Sequence, residues 1–146
     1  MQHSPVHILI VEDNATDVMI MREAFANSTW NATLHVASNG EDAMKLLRRV
    51  GEHADAPRPD LILLDLNMPR KNGHEVLSEI KSDLLLLRIP VVILTTSQAE
   101  NDISQAYAAH ANCYIRKPVD FEHFDEVMRA IVHFWFDLVS LPVTKA

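Results

Sequence analysis

The sequence has a single cysteine, no run of basic residues and no long apolar stretch. One cysteine, Cys113, excludes an internal disulfide and is typical of a reducing compartment. A net charge of −7, with basic residues only in isolated pairs, argues against nucleic-acid binding. No apolar run approaches the ~20 residues of a membrane span, and residues 1–5 lack the features of a signal peptide. We therefore expect a cytoplasmic protein that binds neither nucleic acid nor membrane.

The chain is long enough for one buried core, and its apolar runs alternate with amphipathic segments. This alternation predicts repeated βα units and a parallel sheet with helices on both faces. We predict one domain over residues 1–146, with a core at 6–135 and an extended last helix and tail at 136–146. The predicted strands lie at 6–12, 33–37, 60–65, 90–95 and 113–117.

Turn and cap residues place the helices between these strands. We predict that the first helix begins after Asn14, with Asn14 or Thr16 as its cap. Asn39-Gly40 and Asn72-Gly73 open the second and third helices, and a fourth spans residues 99–109. The last helix is expected to run from Asp120 towards Leu138, with a loose tail beyond Pro142. The apolar run Leu84–Leu87 is interpreted as the end of the third helix packing onto the core.

Acids, a hydroxyl and a lysine stand where four of the predicted strands end. They are Glu12-Asp13, Asp65, Thr95 and Lys117. In an open α/β sheet, ligands bind in the crevice at the carboxyl ends of the strands. The strand order 2-1-3-4-5 makes the first and third strands neighbours, so that the three carboxylates converge there.

Carboxylates held close together repel each other, and a cation removes that penalty. A few oxygen ligands, with positions left for water and phosphate, suit Mg²⁺. We predict Asp13 and Asp65 as direct ligands, Glu12 as a ligand through water, and the backbone carbonyl of Asn67 as the third protein oxygen.

Asp65 is also the best candidate nucleophile, because it follows a buried strand at the centre of the predicted sheet. An aspartate can accept a phosphoryl group as a mixed anhydride, provided that the charge on the transferred group is neutralised. Lys117 would supply a cation for this and Thr95 a hydroxyl donor. Each residue alone has an ordinary explanation as a cap, a strand residue or a solvated lysine. Their joint occurrence at successive strand ends favours the functional interpretation.

Four ordered motifs resemble a two-component response regulator receiver domain. They are ILIVEDN at 8–14, DLILLDLNMP at 60–69 with Gly73, PVVILT at 90–95, and Lys117-Pro118. The resemblance implies a flavodoxin-like (βα)5 fold, with Asp65 as phosphoacceptor and Glu12 and Asp13 as the acid pair that holds Mg²⁺. It further implies Thr95 as the switch hydroxyl, Lys117 as the lysine that contacts the phosphoryl group, and Tyr114 as the aromatic switch residue.

Further segments are similar to the small response regulators paired with bacterial, mainly cyanobacterial, phytochromes. They are the loop at 54–59, residues 65–73, residues 112–115, and Phe134-Trp135-Phe136 followed by Leu141-Pro142. This similarity implies a phytochrome histidine kinase as phosphodonor. It also implies a homodimer through the face formed by the fourth helix, the fifth strand and the last helix. The last helix is apolar nearly all round, and we expect Phe134, Trp135 and Phe136 at that interface.

Two positions depart from the family pattern. His110 stands where many receivers have glycine, and we interpret it as a helix-end residue rather than a functional one. Arg116 stands where a small or apolar residue is usual, and it would lie either in an interface or in solvent. Neither position belongs to the predicted phosphorylation site.

Two other functions compete with the receiver interpretation. Aspartyl-phosphate phosphatases use a similar set of residues, but they usually carry a second aspartate two residues after the nucleophile, where this chain has Asn67. An interaction module that never takes phosphate is the other alternative. We expect no enzymatic activity beyond autocatalytic phosphoryl acceptance. Because the sequence leaves no room for an output domain, we expect the signal to leave through protein contacts or a phosphorelay.

Overall fold

The computed structural model describes residues 5–142 and shows five strands alternating with five helices. A 3₁₀ turn at Gly51–His53 precedes the third strand, and a π-helical segment, His133–Leu138, continues the last helix. The strands are β1 (Val6–Val11), β2 (Ala32–Ala37), β3 (Leu61–Leu64), β4 (Val91–Thr95) and β5 (Cys113–Arg116). The helices are α1 (Ala15–Ala26), α2 (Gly40–Leu47), α3 (Gly73–Ser82), α4 (Glu100–Ala108) and α5 (Phe121–Val132).

The strands form one parallel sheet in the order β2-β1-β3-β4-β5, which confirms the predicted fold and strand order. Val11 pairs with Leu64, and Leu64 pairs with Ile93. This register places Glu12 and Asp65, the residues that follow β1 and β3, side by side at the carboxyl edge of the sheet.

Helices cover both faces of the sheet because the central strands are apolar on both sides. Leu9 and Val11 pack with α2, α3 and α4 on one face. Ile8 and Ile10 pack with α1 and α5 on the other. Ala106 is the one fully buried residue of α4 within the described chain, so α4 is attached to the sheet less firmly than the other helices.

Side-chain caps fix the starts of four helices at the residues that the sequence predicts. Asn14, Asn39, Asn72 and Asp120 each accept a hydrogen bond from the backbone N–H three residues later. Each cap satisfies an N–H group that has no partner inside its helix. The exception is α4, which begins after Ala99 without a side-chain cap.

The interpretation of Leu84–Leu87 as a helix end packing onto the core is wrong. The third helix ends at Ser82, and the Asp83 carboxylate accepts a hydrogen bond from the backbone N–H of Leu85 at 2.8 Å. That turn leads the chain away from the helix, so Leu84 and Leu85 are exposed and only Leu86 is buried.

The segment after α5 folds back onto its own domain. Phe136 is only 6% exposed and packs between Phe25 and Trp30, at ring-centroid distances of 6.1 and 5.5 Å. Its ring therefore belongs to the core of one chain, and its place in a dimer interface stays a prediction. Trp135 is also buried, whereas Phe134 is 50% exposed. The predicted tail at 143–146 lies outside the described residues.

His110 adopts a left-handed backbone conformation, with φ of 71°, directly after the C-cap of α4. Its side chain is exposed, as is that of Arg116 at the end of β5. This geometry supports the interpretation of His110 as a helix-end residue. Glycine would reach this conformation without strain.

Across residues 5–142, no helix is both long and apolar enough to cross a bilayer.

We expect His110→Gly to stabilise the fold by about 0.5–1 kcal/mol, because glycine removes the strain of positive φ at an exposed helix end. Urea unfolding of the variant and the wild type would measure this difference. His110→Ala is the matched control, since alanine keeps the strain and should give no gain. A glycine variant no more stable than the alanine variant would contradict the interpretation.

Candidate functional site

Three acids meet at the carboxyl edge of β1 and β3. Glu12 and Asp65 are buried, and Asp13 is exposed beside them. One carboxylate oxygen from each of the three lies within 4.8 Å of the others. The predicted convergence of these acids is therefore present in the fold, and it follows from the pairing of the two strands.

Gly73 brings the start of α3 against the backbone of Asp65. A Cβ atom at Gly73 would lie 2.3 Å from the Asp65 carbonyl oxygen and 2.6 Å from the Leu66 Cα atom. The Gly73 N–H donates to the Leu66 carbonyl at 3.0 Å. Only glycine fits this contact, so the loop that carries Asp65 is held by α3 as well as by the sheet.

Lys117 joins the acids from the end of β5. Its Nζ atom lies 2.5 Å from Glu12 Oε1, 2.8 Å from Asp17 Oδ2 and 3.5 Å from Asp65 Oδ2. The backbone N–H of Lys117 donates to the Thr95 carbonyl at 2.6 Å, which fixes the lysine to the end of β4. The buried ammonium therefore directs all three of its donors at carboxylates.

Burial opposes the ionised forms of Glu12 and Lys117, and each of these two groups favours the ionised form of the other. Burial is the main reason that the pKa of Glu12 is raised to about 7. The hydrogen bond from Lys117 lowers this pKa, and the charge of Asp65 raises it. For Lys117, burial lowers the pKa, but hydrogen bonds to Asp17 and Glu12 and the charge of Asp65 outweigh it. The pKa of Lys117 therefore lies above its usual value, and this residue remains a cation.

The donor set fits a hard divalent cation. Three carboxylates contact the one ammonium and a fourth, that of Asp13, lies beside two of them, so acidic groups outnumber basic ones at the site. Carboxylate oxygens are the ligands that Mg²⁺ and Mn²⁺ prefer. Glu12, Asp13 and Asp65 would hold such an ion, whose charge would offset their mutual repulsion.

Thr95 stands at the end of β4, the strand next to β3, and its side chain is fully buried. Its Oγ1 atom has no hydrogen-bond partner among residues 5–142. An unsatisfied buried hydroxyl costs about 1–3 kcal/mol. The hydroxyl is therefore available to a polar group that enters the site.

A hydrogen-bond network runs from the loop after β4 to three other elements. The Tyr114 hydroxyl donates to the Ser97 carbonyl at 2.9 Å, and the Ser97 hydroxyl donates to Asp102 at 2.5 Å. His74 of α3 contacts the same carboxylate at 3.0 Å. Hydrogen bonds from Ser97 and His74 lower the pKa of Asp102, which keeps it a charged acceptor. Tyr114 is thus tied to the segment that follows Thr95.

Asn67 lies two residues after Asp65, and its backbone N–H donates to Asp65 Oδ1 at 3.3 Å. Its carbonyl as a metal ligand stays a prediction.

Sequence reasoning missed Asp17, although an acid one helical turn after Asp13, in the first turn of α1, was a visible signal. It also missed the contact between His74 and Asp102, for which the sequence carries no signal.

Comparison with known proteins identifies the family. The model of the response regulator receiver domain matches residues 8–129. Response regulator Rcp1 of Synechocystis sp. is 44% identical over 138 residues, which cover 94% of each chain. The structure is similar to that of the phosphorylated cyanobacterial phytochrome response regulator RcpA, with a TM-score of 0.94, 47% identity, and 96% and 100% of the two chains covered. The Mn²⁺-bound form of Rcp1 gives a TM-score of 0.93 at 43% identity, covering 95% and 100%. The chain belongs to the response regulator receiver domains.

Proposed function

We propose that this receiver is a phosphorylation switch in which Asp65 accepts a phosphoryl group from a histidine kinase in a Mg²⁺-dependent reaction. The observation that carries the proposal is the buried Asp65 carboxylate, which lies beside Glu12, Asp13 and the Lys117 ammonium. The unpartnered Thr95 hydroxyl supports it, because that group has nothing to bind in the structure described here.

The reaction follows from the charges at the site. A carboxylate oxygen of Asp65 attacks the phosphorus atom, the bond from phosphorus to the donor histidine nitrogen breaks, and that nitrogen keeps the electron pair. Glu12, Asp13 and Asp65 would hold a divalent cation, which would supply positive charge to the oxygens of the transferred group. Lys117 and Thr95 would donate hydrogen bonds to the same oxygens. The product is a mixed anhydride on Asp65.

We further propose a phytochrome-type histidine kinase as the phosphodonor. The support comes from the relatives, one of which is a phosphorylated cyanobacterial phytochrome response regulator at 47% identity over nearly the full length of both chains. A phosphatase is less well supported, because Asn67, an exposed amide, stands where a second aspartate would act as general acid.

The proposed output is a change in the face formed by α4, β5 and α5. Movement of Thr95 towards a phosphoryl group would shift the following segment, whose Ser97 carbonyl holds the Tyr114 hydroxyl. Tyr114 is partly buried against the apolar layer under α4, the helix with the least buried surface. A local change of charge would thereby bias the position of Tyr114 and α4 between two states.

We propose that a second copy of the chain covers part of the same face. An apolar groove of about 330 Å³ runs between β5 and α5. Phe134 lies half-exposed at its rim, and its ring packs edge-on against Trp135 at a centroid distance of 5.3 Å. A symmetric contact would bury Phe134 of both copies. The groove is lined by Cys113, Ile115, Val127, Ala130, Ile131, Phe134 and Trp135.

Phosphoramidate with MgCl₂ should phosphorylate the wild type, and Asp65→Asn should abolish the label, because the amide cannot form the anhydride. Intact mass before and after hydroxylamine treatment would measure this. Asp55→Asn, in an exposed loop away from the site, is the control and should retain the label. An unlabelled wild type would instead support a phosphate-free interaction module. Hydrolysis of generic phosphoesters at many turnovers per Asp65 would support a phosphatase.

Excess MgCl₂ should raise the melting temperature of the wild type, because an ion that binds only the folded state stabilises it by about 2.7 kcal/mol at 100 times Kd. Asp13→Asn should have two effects of opposite sign. Without metal it should melt higher than the wild type, since one repelling charge is removed. With metal it should gain less, since one ligand is lost. Thermal unfolding measures both effects, and an equal gain in both proteins would reject the metal site.

Phe134→Ser should weaken dimerisation by about tenfold or more, as expected when a central aromatic contact is lost. Sedimentation velocity over a series of protein concentrations would measure the dissociation constant. Leu85→Ser is the matched control, because Leu85 is equally apolar and more exposed but lies on the turn after α3. Equal dissociation constants for the wild type and Phe134→Ser would argue against the groove as the interface.

A further inference from the structure

Asp17 contacts the site from a helix that carries none of the predicted site residues. It is the third residue of α1, and its backbone N–H donates to the Asn14 side chain at 3.0 Å. The Asn14 N–H in turn donates to Glu12 Oε2 at 3.1 Å. The cap therefore fixes the first turn of α1 relative to the acid pair. This places the Asp17 carboxylate 2.8 Å from the Nζ atom of Lys117.

The contact with Asp17 uses one of the three N–H donors of the Lys117 ammonium. An ammonium group has three N–H bonds, and those of Lys117 are directed at Glu12, Asp17 and Asp65. A phosphoryl oxygen on Asp65 can take the donor that faces Asp65, whose contact is the longest of the three at 3.5 Å. A second hydrogen bond from Lys117 to the phosphoryl group requires Glu12 or Asp17 to give up its donor.

Exposure to solvent decides which partner leaves. The side chain of Glu12 is 2% exposed and that of Asp17 is 19% exposed. A carboxylate left unpaired in the interior loses both its counter-ion and its hydration, which is costly. At Asp17 water can replace the lost donor, so release there costs less. Asp65 carries the phosphoryl group itself and stays close.

We propose that Asp17 is a positioning residue that holds the Lys117 ammonium in the unphosphorylated protein and releases it when a phosphoryl group arrives. This inference rests on the proposed function, since it assigns one more residue to the same reaction. Asp17 also adds a negative charge beside the acid cluster, which opposes the approach of an anionic phosphodonor. The contact therefore keeps unassisted phosphorylation slow.

The test compares rates of phosphorylation by phosphoramidate in excess MgCl₂ by intact mass. Asp17→Asn keeps the size of the side chain but removes its charge. It should react at least about fivefold faster than the wild type, which corresponds to roughly 1 kcal/mol in the barrier. Asp17→Glu keeps the carboxylate and should react at the wild-type rate. A variant that acted only through the stability of α1 would not separate Asn from Glu in this way.

Asp42→Asn is the matched control. Asp42 is the third residue of α2 and its N–H donates to the capping Asn39, as Asp17 does to Asn14, but Asp42 forms no ion pair with a lysine within residues 5–142. Its variant should keep the wild-type rate. An Asp17→Asn rate at or below that of Asp42→Asn would overturn the inference while leaving the proposed function standing. A wild type that takes no label at all would overturn both.

Discussion

The ammonium of Lys117 holds together parts of the chain that are far apart in sequence. It reaches acids at the end of β1, in α1 and at the end of β3. Each of these groups would be costly to bury alone, and together they are tolerable only in close contact. The fold must therefore bring four charged side chains into direct contact at one point. Much of the remaining architecture can be understood as the means of doing this.

The sheet supplies that accuracy. Its central strands are apolar on both faces and are packed between two layers of helices, so their carboxyl ends have little freedom to move. The residues that directly follow these strands therefore have little freedom to move either. By contrast α4, which has only Ala106 fully buried and begins without a side-chain cap, can shift at a smaller cost. The rigid strands carry the residues of the proposed reaction, and the less firmly attached α4 belongs to the face through which a signal would leave.

The strand order came partly from the resemblance to receiver domains, and with that order the sequence was sufficient for bringing Glu12, Asp13 and Asp65 together. The reason is geometric, because residues that end neighbouring parallel strands must lie near each other. Contacts between helices do not follow from any such rule. The meeting of His74 with Asp102 depends on how α3 and α4 pack, and the inward turn of Phe136 depends on a space between Phe25 and Trp30. The turn after Ser82 was missed because the apolar run that follows Asp83 suggested burial. The hydrogen bond that the Asp83 carboxylate accepts in the turn was not considered.

The absence of a side chain at Gly73 has a consequence for the direction in which the domain can respond. Because α3 packs directly against the backbone of Asp65, the proposed phosphoacceptor has little freedom to move towards that helix. A structural change caused by the charge of a phosphoryl group would then occur away from α3, in β4 and the loop that follows it. The response of the domain would consequently be one-sided. The flank of the sheet that carries α3 would stay fixed, and the flank that carries β4 and its loop would move.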